Sequence, residues 1–346
     1  MITTQQLDAA LRTALETAGR GHRGANPLVG ACVLDAEGNI IATGFHIGAG
    51  HPHAEIDALR RLGKMPAAKA RELTMVVTLE PCNHTGRTGP CAQGIVEAGI
   101  GHVYYAVPDN TAASGGADYL RSHGTQATQL ADSSAAKQLN HRWFIAKEEG
   151  RPFITVKIAQ SLDGRINAPD GTSQWITSTA SRNHAHALRS RVDGILVGTS
   201  TAIIDNPRLT ARTPDGQLHE RQPFRLVMGE RDLPADLALT QGDDWAQVRS
   251  HDVHEVIARA NELGLAHLLV EGGATVASAF IAADLADEIY CYQAPLLIGA
   301  GSSSVNMPNT TTLADARRFR LDSASNESLT RLSDDIALHL EPLPRD

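Results

Sequence analysis

The sequence predicts an α/β protein built as two domains, and three observations lead there. Apolar residues at helical spacing alternate with short apolar runs along nearly the whole chain. At 346 residues the chain exceeds one ordinary domain. A polar joint, Lys147-Glu148-Glu149-Gly150-Arg151-Pro152, interrupts the alternation near its middle. The expected domains are therefore 1–148 and 149–346.

Each element has a local reason. Leu7, Leu11, Ala14, Leu15 and Ala18 share one helical face over Thr4–Gly19, with Thr4 as the expected cap. The turn from Gly24 to Gly30 leads into a strand, Ala31–Asp35; Ala36-Glu37-Gly38-Asn39 turns the chain, and Ile40–Thr43 returns. Helix Ala54–Leu62, strand Leu73–Leu79, helix Cys91–Ala98 and strand Val103–Val107 follow. A helix near Ala117–Ser122, a strand near Gln126–Leu130 and one helix from Ser134 to about Lys147 complete the first half. After the joint, strands are expected at Phe153–Ala159, Gly194–Val197, Phe224–Met228, His267–Val270 and Glu288–Tyr292. Helices are expected near Thr179–Arg191, His254–Leu263 and Ala274–Ala283.

Composition narrows the class. Hydrophobic residues make up 42% and charged residues 20%, which suits globular cores in water. No stretch approaches the roughly 18 uninterrupted apolar residues of a membrane span, so no membrane association is expected. The residues from Met1 to Leu7 show no basic region before an apolar core, hence no secretory signal. Four cysteines (Cys32, Cys82, Cys91, Cys291) make no disulfide framework, and the expected location is cytoplasmic. The net charge of −8 and the lack of a basic run argue against a nucleic-acid partner and for a small anionic ligand held by local arginines.

The chemistry concentrates between His51 and Cys91. His53-Ala54-Glu55 precedes a helix, and Pro81-Cys82 and Pro90-Cys91 flank a turn after a strand. His53, Cys82 and Cys91 make three ligands with an open fourth position, the layout of a catalytic zinc. Cys91 opens a helix, which favours its thiolate. Zinc lowers the pKa of water toward neutrality, and a carboxylate beside the metal moves the proton; Glu55 is placed to do so. A structural zinc would need a fourth ligand, for which His84, His51 and Cys32 are available. Cys32 and Cys291 lie inside apolar strands and are expected in cores.

These residues carry a resemblance. Asn26-Pro27-Leu28-Val29-Gly30, His53-Ala54-Glu55 and Pro81-Cys82-Asn83-His84-Thr85-Gly86-Arg87-Thr88-Gly89-Pro90-Cys91 are similar to the deaminase domain of the bifunctional riboflavin-biosynthesis deaminase/reductase family. General nucleobase deaminases place only two residues between the cysteines. The resemblance implies a three-layer cytidine-deaminase-like fold, and it implies that Asn26, His84 and Arg87 bind substrate. The chain departs from the family pattern at Pro108-Asp109-Asn110-Thr111-Ala112, where a second Asn-Pro and a Gly-Lys-Gly are missing.

The second half has no Gly-x-Gly-x-x-Gly after a strand, so a Rossmann reading lacks its main support. Lys157–Arg165, Ser173–Thr177, Val197–Arg212 and Val270–Thr275 resemble instead the reductase domain of the same family, with a dihydrofolate-reductase-like fold. Glu271-Gly272-Gly273 is a strand end running into a helix, where small residues admit a diphosphate. The resemblance implies that Ala159, Trp175, Thr201 and Asp205 contact NADPH. It puts Ser173, Arg189 and Arg212 around a substrate 5′-phosphate and Leu209 and Glu271 on the ribose side. Asp205 and Glu271 are the candidate proton donors. Gly229-Glu230-Arg231 replaces the small hydroxyl turn common in the family; Glu230 would repel a 2′-phosphate and Arg231 attract one, leaving NADH an alternative.

The implied activity is zinc-dependent deamination of a phosphoribosylaminopyrimidine, then NADPH-dependent reduction of its ribosyl chain, in a homo-oligomer. The alternatives are a deaminase with a degenerate reductase half, a deaminase of free bases or tRNA, and a non-catalytic zinc module that binds nucleotides or RNA.

Overall fold

The computed structural model describes residues 2–84, 89–111, 113–131, 133–322 and 328–343. The chain divides into two compact units, Met1–Ile145 and Ala146–Asp346.

The first unit runs α1 (Thr4–Ala18), β1 (Gly30–Leu34), β2 (Ile40–Phe45), α2 (Ala54–Leu62), α3 (Ala67–Ala70), β3 (Thr74–Leu79), α4 (Cys91–Ala98), β4 (His102–Val107), α5 (Gly116–Ser122), β5 (Gln126–Gln129), α6 (Ser134–Leu139) and α7 (His141–Glu148). Its sheet order is β2-β1-β3-β4-β5. β1 is antiparallel to β2 and β3, and β3, β4 and β5 are parallel.

Strand alternation makes the layers. Ala31, Val33, Met75 and Val77 pack with Ala58 of α2 and Ile95 of α4. Cys32, Leu34 and Val76 point the other way, onto Leu7, Ala10 and Ala14 of α1. Two glycines allow both helices to lie close: a Cβ on Gly30 would come 1.9 Å from the Ala14 carbonyl oxygen, and one on Gly44 would come 2.2 Å from Ala58 N.

Two sequence expectations change here. The cap of α1 is Thr3, not Thr4, because Thr3 Oγ1 accepts from Gln6 N while Gln6 Oε1 accepts from Thr3 N, a reciprocal capping box. The single helix expected from Ser134 breaks at Asn140. That side chain accepts from Leu28 N at 2.8 Å and donates to Leu28 O at 2.7 Å, closing the turn that carries Asn26.

The second unit contains β6 (Phe153–Ser161), α8 (Thr179–Arg189), β7 (Gly194–Gly198), α9 (Thr199–Asp205), β8 (Phe224–Met228), a 3₁₀ turn (Ala238–Thr240), β9 (Trp245–Val248), α10 (Val253–Glu262), β10 (His267–Val270), α11 (Ala274–Ala282), β11 (Glu288–Ala294), β12 (Phe319–Leu321), β13 (Leu329–Leu332) and β14 (Asp335–Pro342). The strand order is β12-β14-β11-β6-β10-β7-β8-β9, with β13 pairing β14. From β11 to β9 the sheet is parallel; β12 and β13 run antiparallel to β14, which is itself antiparallel to β11. Leu196, Leu226, Leu268 and Val270 face Val256 of α10 and Phe280 of α11. Ile195, Val197, Val227 and Leu269 face Leu188 of α8 and Ala202 of α9.

The β12–β14 edge has no counterpart in the sequence reading. Along β14 the buried positions are Asp335, Ala337, His339 and Glu341, so the inward face is mostly polar. Partners make this tolerable: Asp335 accepts from Ser181 Oγ at 2.6 Å, His339 Nε2 meets Glu288 at 2.8 Å, and Glu341 accepts from Arg320 Nε at 2.7 Å. The joint also differs from its sequence appearance. Arg151 is buried and forks onto Asp287 at 2.6 and 2.9 Å, while Asp287 also accepts from Ile154 N at the start of β6. Cys32 and Cys291 are core residues, and burial pushes their thiols up to about 12 and about 11. Among the described residues no helix is long and apolar enough to cross a membrane.

Candidate active sites

In the first unit, three donors from three places in the chain converge. His53 is the N-cap residue of α2, Cys82 follows β3, and Cys91 is the first residue of α4. His53 Nδ1 lies 3.5 Å from Cys82 Sγ and 3.2 Å from Cys91 Sγ. All three donor atoms lie within 4.8 Å of one another. Cys91 N also donates to Cys82 Sγ at 3.4 Å, which favours a thiolate there. Cys82 is drawn down to about 4, first by its hydrogen bond with the Cys91 thiol, and Cys91 is pushed up by the same shared proton and by burial. Two sulfurs and one imidazole nitrogen at this spacing fit a zinc ion, and the described residues supply no fourth donor to the cluster.

Glu55 sits in the first turn of α2, 3% exposed. Burial raises its carboxyl to about 7. It stands outside the donor cluster yet hydrogen-bonds Cys91, so it is adjacent to the metal position without being a ligand. A carboxyl poised near neutrality can take up and return a proton.

The Asn26 side chain is oriented by a residue the sequence reading did not single out. His46 Nδ1 lies 2.9 Å from the Pro52 carbonyl, which can only accept, so Nδ1 carries the proton. His46 Nε2 must then accept from Asn26 Nδ2 at 2.9 Å, and the Asn26 Oδ1 keeps its acceptor capacity. The His46 ring also meets His53 edge to face at 5.0 Å, and burial holds it neutral, at about 4. No spacing rule marks a histidine at the end of β2; only the folded contacts reveal it.

His84 is exposed, and Arg87 lies outside the described residues. Asn83 N donates to Ala113 O at 2.8 Å. The segment that departs from the family pattern is anchored by Glu80, which accepts from Asp109 N at 3.2 Å and Ala117 N at 2.9 Å.

The second unit holds a cleft of about 590 Å³ at the carboxyl ends of β6, β7 and β10. Ala159, Trp175, Thr201, Asp205, Gly272 and Gly273 line it, and so do Ser173, Arg189, Leu209, Arg212 and Glu271. A Cβ on Gly272 would come 2.5 Å from Val276 Cβ, so only glycine fits against α11 there.

At the base of the cleft Arg189 forks onto Glu271, Nε to Oε1 at 2.7 Å and Nη2 to Oε2 at 2.8 Å. Lys157 Nζ lies 3.8 Å from the same carboxylate. Burial alone would raise Glu271; the two cations outweigh it and hold the carboxyl down to about 2. Glu271 is therefore ionised near neutral pH and cannot donate a proton. Asp205 shifts the other way, raised by burial. The remaining donor of Arg189, Nη1, reaches Thr210 O at 3.2 Å. Arg182, Arg208 and Arg212 are the cleft arginines with no carboxylate partner among the described residues; Arg212 bonds Thr210 Oγ1 and Gly216 O instead.

Three further cleft residues escaped the sequence reading. Lys157 was visible as a lysine inside an otherwise apolar strand. Arg182 places its guanidinium 4.6 Å from the centre of the Trp175 ring, which is 68% exposed. His186 lies one turn before Arg189 on α8 and approaches Thr210 O at 3.0 Å through Nδ1.

Known proteins share both halves. Residues 4–107 match the cytidine and deoxycytidylate deaminase zinc-binding region, and residues 152–329 match the RibD C-terminal domain. The riboflavin biosynthesis protein RibD of Corynebacterium ammoniagenes is 42% identical over 314 residues, covering 90% of this chain and 92% of that protein. The Acinetobacter baumannii RibD structure superposes with a TM-score of 0.75 at 31% identity, covering 98% of this chain and 99% of that one. The structure of a Thermotoga maritima diaminohydroxyphosphoribosylaminopyrimidine deaminase/5-amino-6-(5-phosphoribosylamino)uracil reductase superposes with a TM-score of 0.71 at 26% identity over the same shares. With both domains matched in order over nearly its full length, the chain belongs to the RibD family of bifunctional deaminase/reductases in riboflavin biosynthesis.

Proposed function

We propose that residues 1–148 deaminate 2,5-diamino-6-(5-phosphoribosylamino)pyrimidin-4(3H)-one at its ring 2-amino group, and that residues 149–346 reduce the ribosyl chain of the product to ribityl with NADPH. One observation carries the first half of this reading: buried Glu55, poised near neutrality, stands beside a cluster of three donors that has no fourth protein donor among the described residues. The Thermotoga protein, named for both reactions, supports their pairing.

His53, Cys82 and Cys91 hold the metal, and zinc supplies Lewis-acid activation of water when bound. Glu55 takes the first proton of the water and gives it to the ring nitrogen, then takes the second from the hydroxyl added to the ring carbon and gives it to the amine, which leaves as ammonia while the carbonyl forms. Asn26 Oδ1, aimed by His46, accepts a hydrogen bond from a substrate N–H. His84 and Arg87 belong to the loop that reads the rest of the substrate.

In the second unit NADPH supplies the hydride. Ala159, Trp175, Thr201 and Asp205 contact the cofactor, and Gly272 and Gly273 admit its diphosphate. Ser173 and Arg212, with neighbouring Arg208, take the substrate phosphate; Arg189, expected there from the resemblance, has its guanidinium committed to Glu271 and the Thr210 carbonyl, and in this reading it keeps Glu271 ionised on the ribose side next to Leu209. A homo-oligomer in the cytoplasm, with no nucleic-acid partner, belongs to the same reading.

The deciding assay supplies the zinc-loaded protein with that pyrimidine and NADPH and follows ammonia and NADPH together. Ammonia release followed by equimolar NADPH consumption is the expected result. Ammonia release without NADPH or NADH consumption would leave a deaminase with a degenerate second half. Absence of both would leave a binding module.

A further inference from the structure

Arg182, His186 and Arg189 lie at successive turns of α8 and line one side of the second unit's cleft. Both arginines are occupied, Arg182 against Trp175 and Arg189 on Glu271. His186 is held by one nitrogen only. Its Nδ1 lies 3.0 Å from the Thr210 carbonyl, which can only accept, so Nδ1 carries the proton. Nε2 is then a bare acceptor, and among the described residues it has no hydrogen-bond partner. The half-buried ring is held neutral, first by burial and then by the Arg189 charge.

Thr210 ties this ring to the phosphate side of the cleft. Its carbonyl accepts from His186 Nδ1 and from Arg189 Nη1 at 3.2 Å, and its hydroxyl accepts from Arg212 Nε at 3.2 Å. The strip around it is fastened. Leu209 is buried in the left-handed conformation at φ 53°. Ala211 N donates to Gln222 Oε1 at 2.8 Å, and Gln222 Nε2 donates back to Ala211 O at 3.0 Å. His186 and Arg212 are therefore set on two sides of a single residue.

The charges around the imidazole come from three elements. Arg189 stands on α8 itself, Arg212 on the strip after α9, and Glu271 at the end of β10. Glu271 is already answered by Arg189 and by Lys157 of β6. The guanidinium groups disfavour a further cation beside them, and a bound dianion would reverse that balance.

We propose that His186 is a ligand of the substrate 5′-phosphate and takes up a proton at Nε2 as the phosphate binds. The proton comes from solvent and adds to the Nε2 lone pair. The new N–H donates to a phosphate oxygen, while Nδ1–H stays on the Thr210 carbonyl. A bare lone pair would repel a phosphate oxygen, whereas an imidazolium makes a charge-assisted bond to it. The inference rests on the reading above that puts the phosphate at Arg212.

Calorimetric titration of the full chain with ribose 5-phosphate, in buffers of different ionisation enthalpy, counts the protons. At about pH 7.5 the free ligand is nearly all dianion, because its second pKa is about 6. The wild type is expected to take up a measurable part of one proton. Its affinity should fall as pH rises from about 7 to about 9, since the protonated ring binds more tightly and is lost on the alkaline side. His186→Asn keeps a donor for the Thr210 carbonyl and has nothing at Nε2. Proton uptake should vanish in this variant, with affinity lower by about tenfold or more. His186→Gln, which puts an amide N–H near the Nε2 position, should recover part of the affinity without uptake. Unchanged NADPH affinity in each variant reports that the second unit is folded. Binding without proton uptake by the wild type, or His186→Asn indistinguishable from it, would overturn the role, leaving the ring as an anchor for Thr210 and the phosphate reading intact. No binding by the wild type, or binding unaffected by Arg212→Ala, would overturn the phosphate reading and the inference with it.

Discussion

Arg189 and Glu271 form a forked ion pair in the floor of the second unit's cleft, with both contacts under 2.9 Å and the Glu271 side chain 5% exposed. The pair joins α8 to the end of β10 and sets the charge of the surface the ribose would meet. Arg189→Lys keeps the charge and loses the fork. NADPH consumption is expected to fall at least tenfold in this variant while ammonia release is unchanged. Arg189→Ala leaves a carboxylate buried alone, and its chemical unfolding should be easier by about 3–5 kcal/mol.

The same pair makes the unit sensitive to acid. The folded carboxyl of Glu271 titrates at about 2 against an ordinary value of 4.5. Its folded pKa is depressed, so its stabilising contribution is complete above 4.5 and disappears as pH falls toward 2. Urea midpoints measured from pH 6 to pH 3 should therefore fall more steeply for the wild type than for Glu271→Gln. Parallel curves would show that the pair does not couple protonation to folding.

Glu55→Gln keeps the shape of the α2 terminus and removes the proton carrier. Ammonia release should drop by about 10²–10⁴-fold, the range for a general acid–base group, while zinc content measured by elemental analysis stays at one per chain. Loss of zinc in this variant would mean that Glu55 is a ligand. Cys82→Ser or Cys91→Ser should lose both zinc and activity.

Asp287 is fully buried and neutralises Arg151 at the start of the second unit. Asp287→Ala leaves that guanidinium without its forked partner and Ile154 N without an acceptor. A loss of about 3–5 kcal/mol in the unfolding free energy of the second unit is expected, with ammonia release retained under native conditions. A change below about 1 kcal/mol would show that solvent reaches the site.

Some of this was legible along the chain. β8, β10, α2 and α4 have the bounds that apolar periodicity predicts, because each carries its signal in consecutive residues. The zinc donors were readable for a related reason: His-x-Glu before a helix and Pro-Cys after a strand place chemistry at element ends, where local geometry is nearly fixed. The C-terminal strands were not readable. Inward positions of β14 are filled by Asp335, His339 and Glu341, whose partners lie tens to hundreds of residues away. An alternation of polar residues inside defeats a rule that looks for apolar ones.

By itself the sequence determined the α/β class, the two-part organisation, the donor set around His53 and the residue types of the cleft. Only the tertiary structure decided their states. Glu55 is poised near neutrality because its helix terminus is buried, and Glu271 is ionised because Arg189 and Lys157 arrive from other elements. Asn26 faces one way because His46 donates to Pro52. Protonation and hydrogen-bond direction depend on what surrounds a group in space, and for these residues the surroundings come from distant parts of the chain.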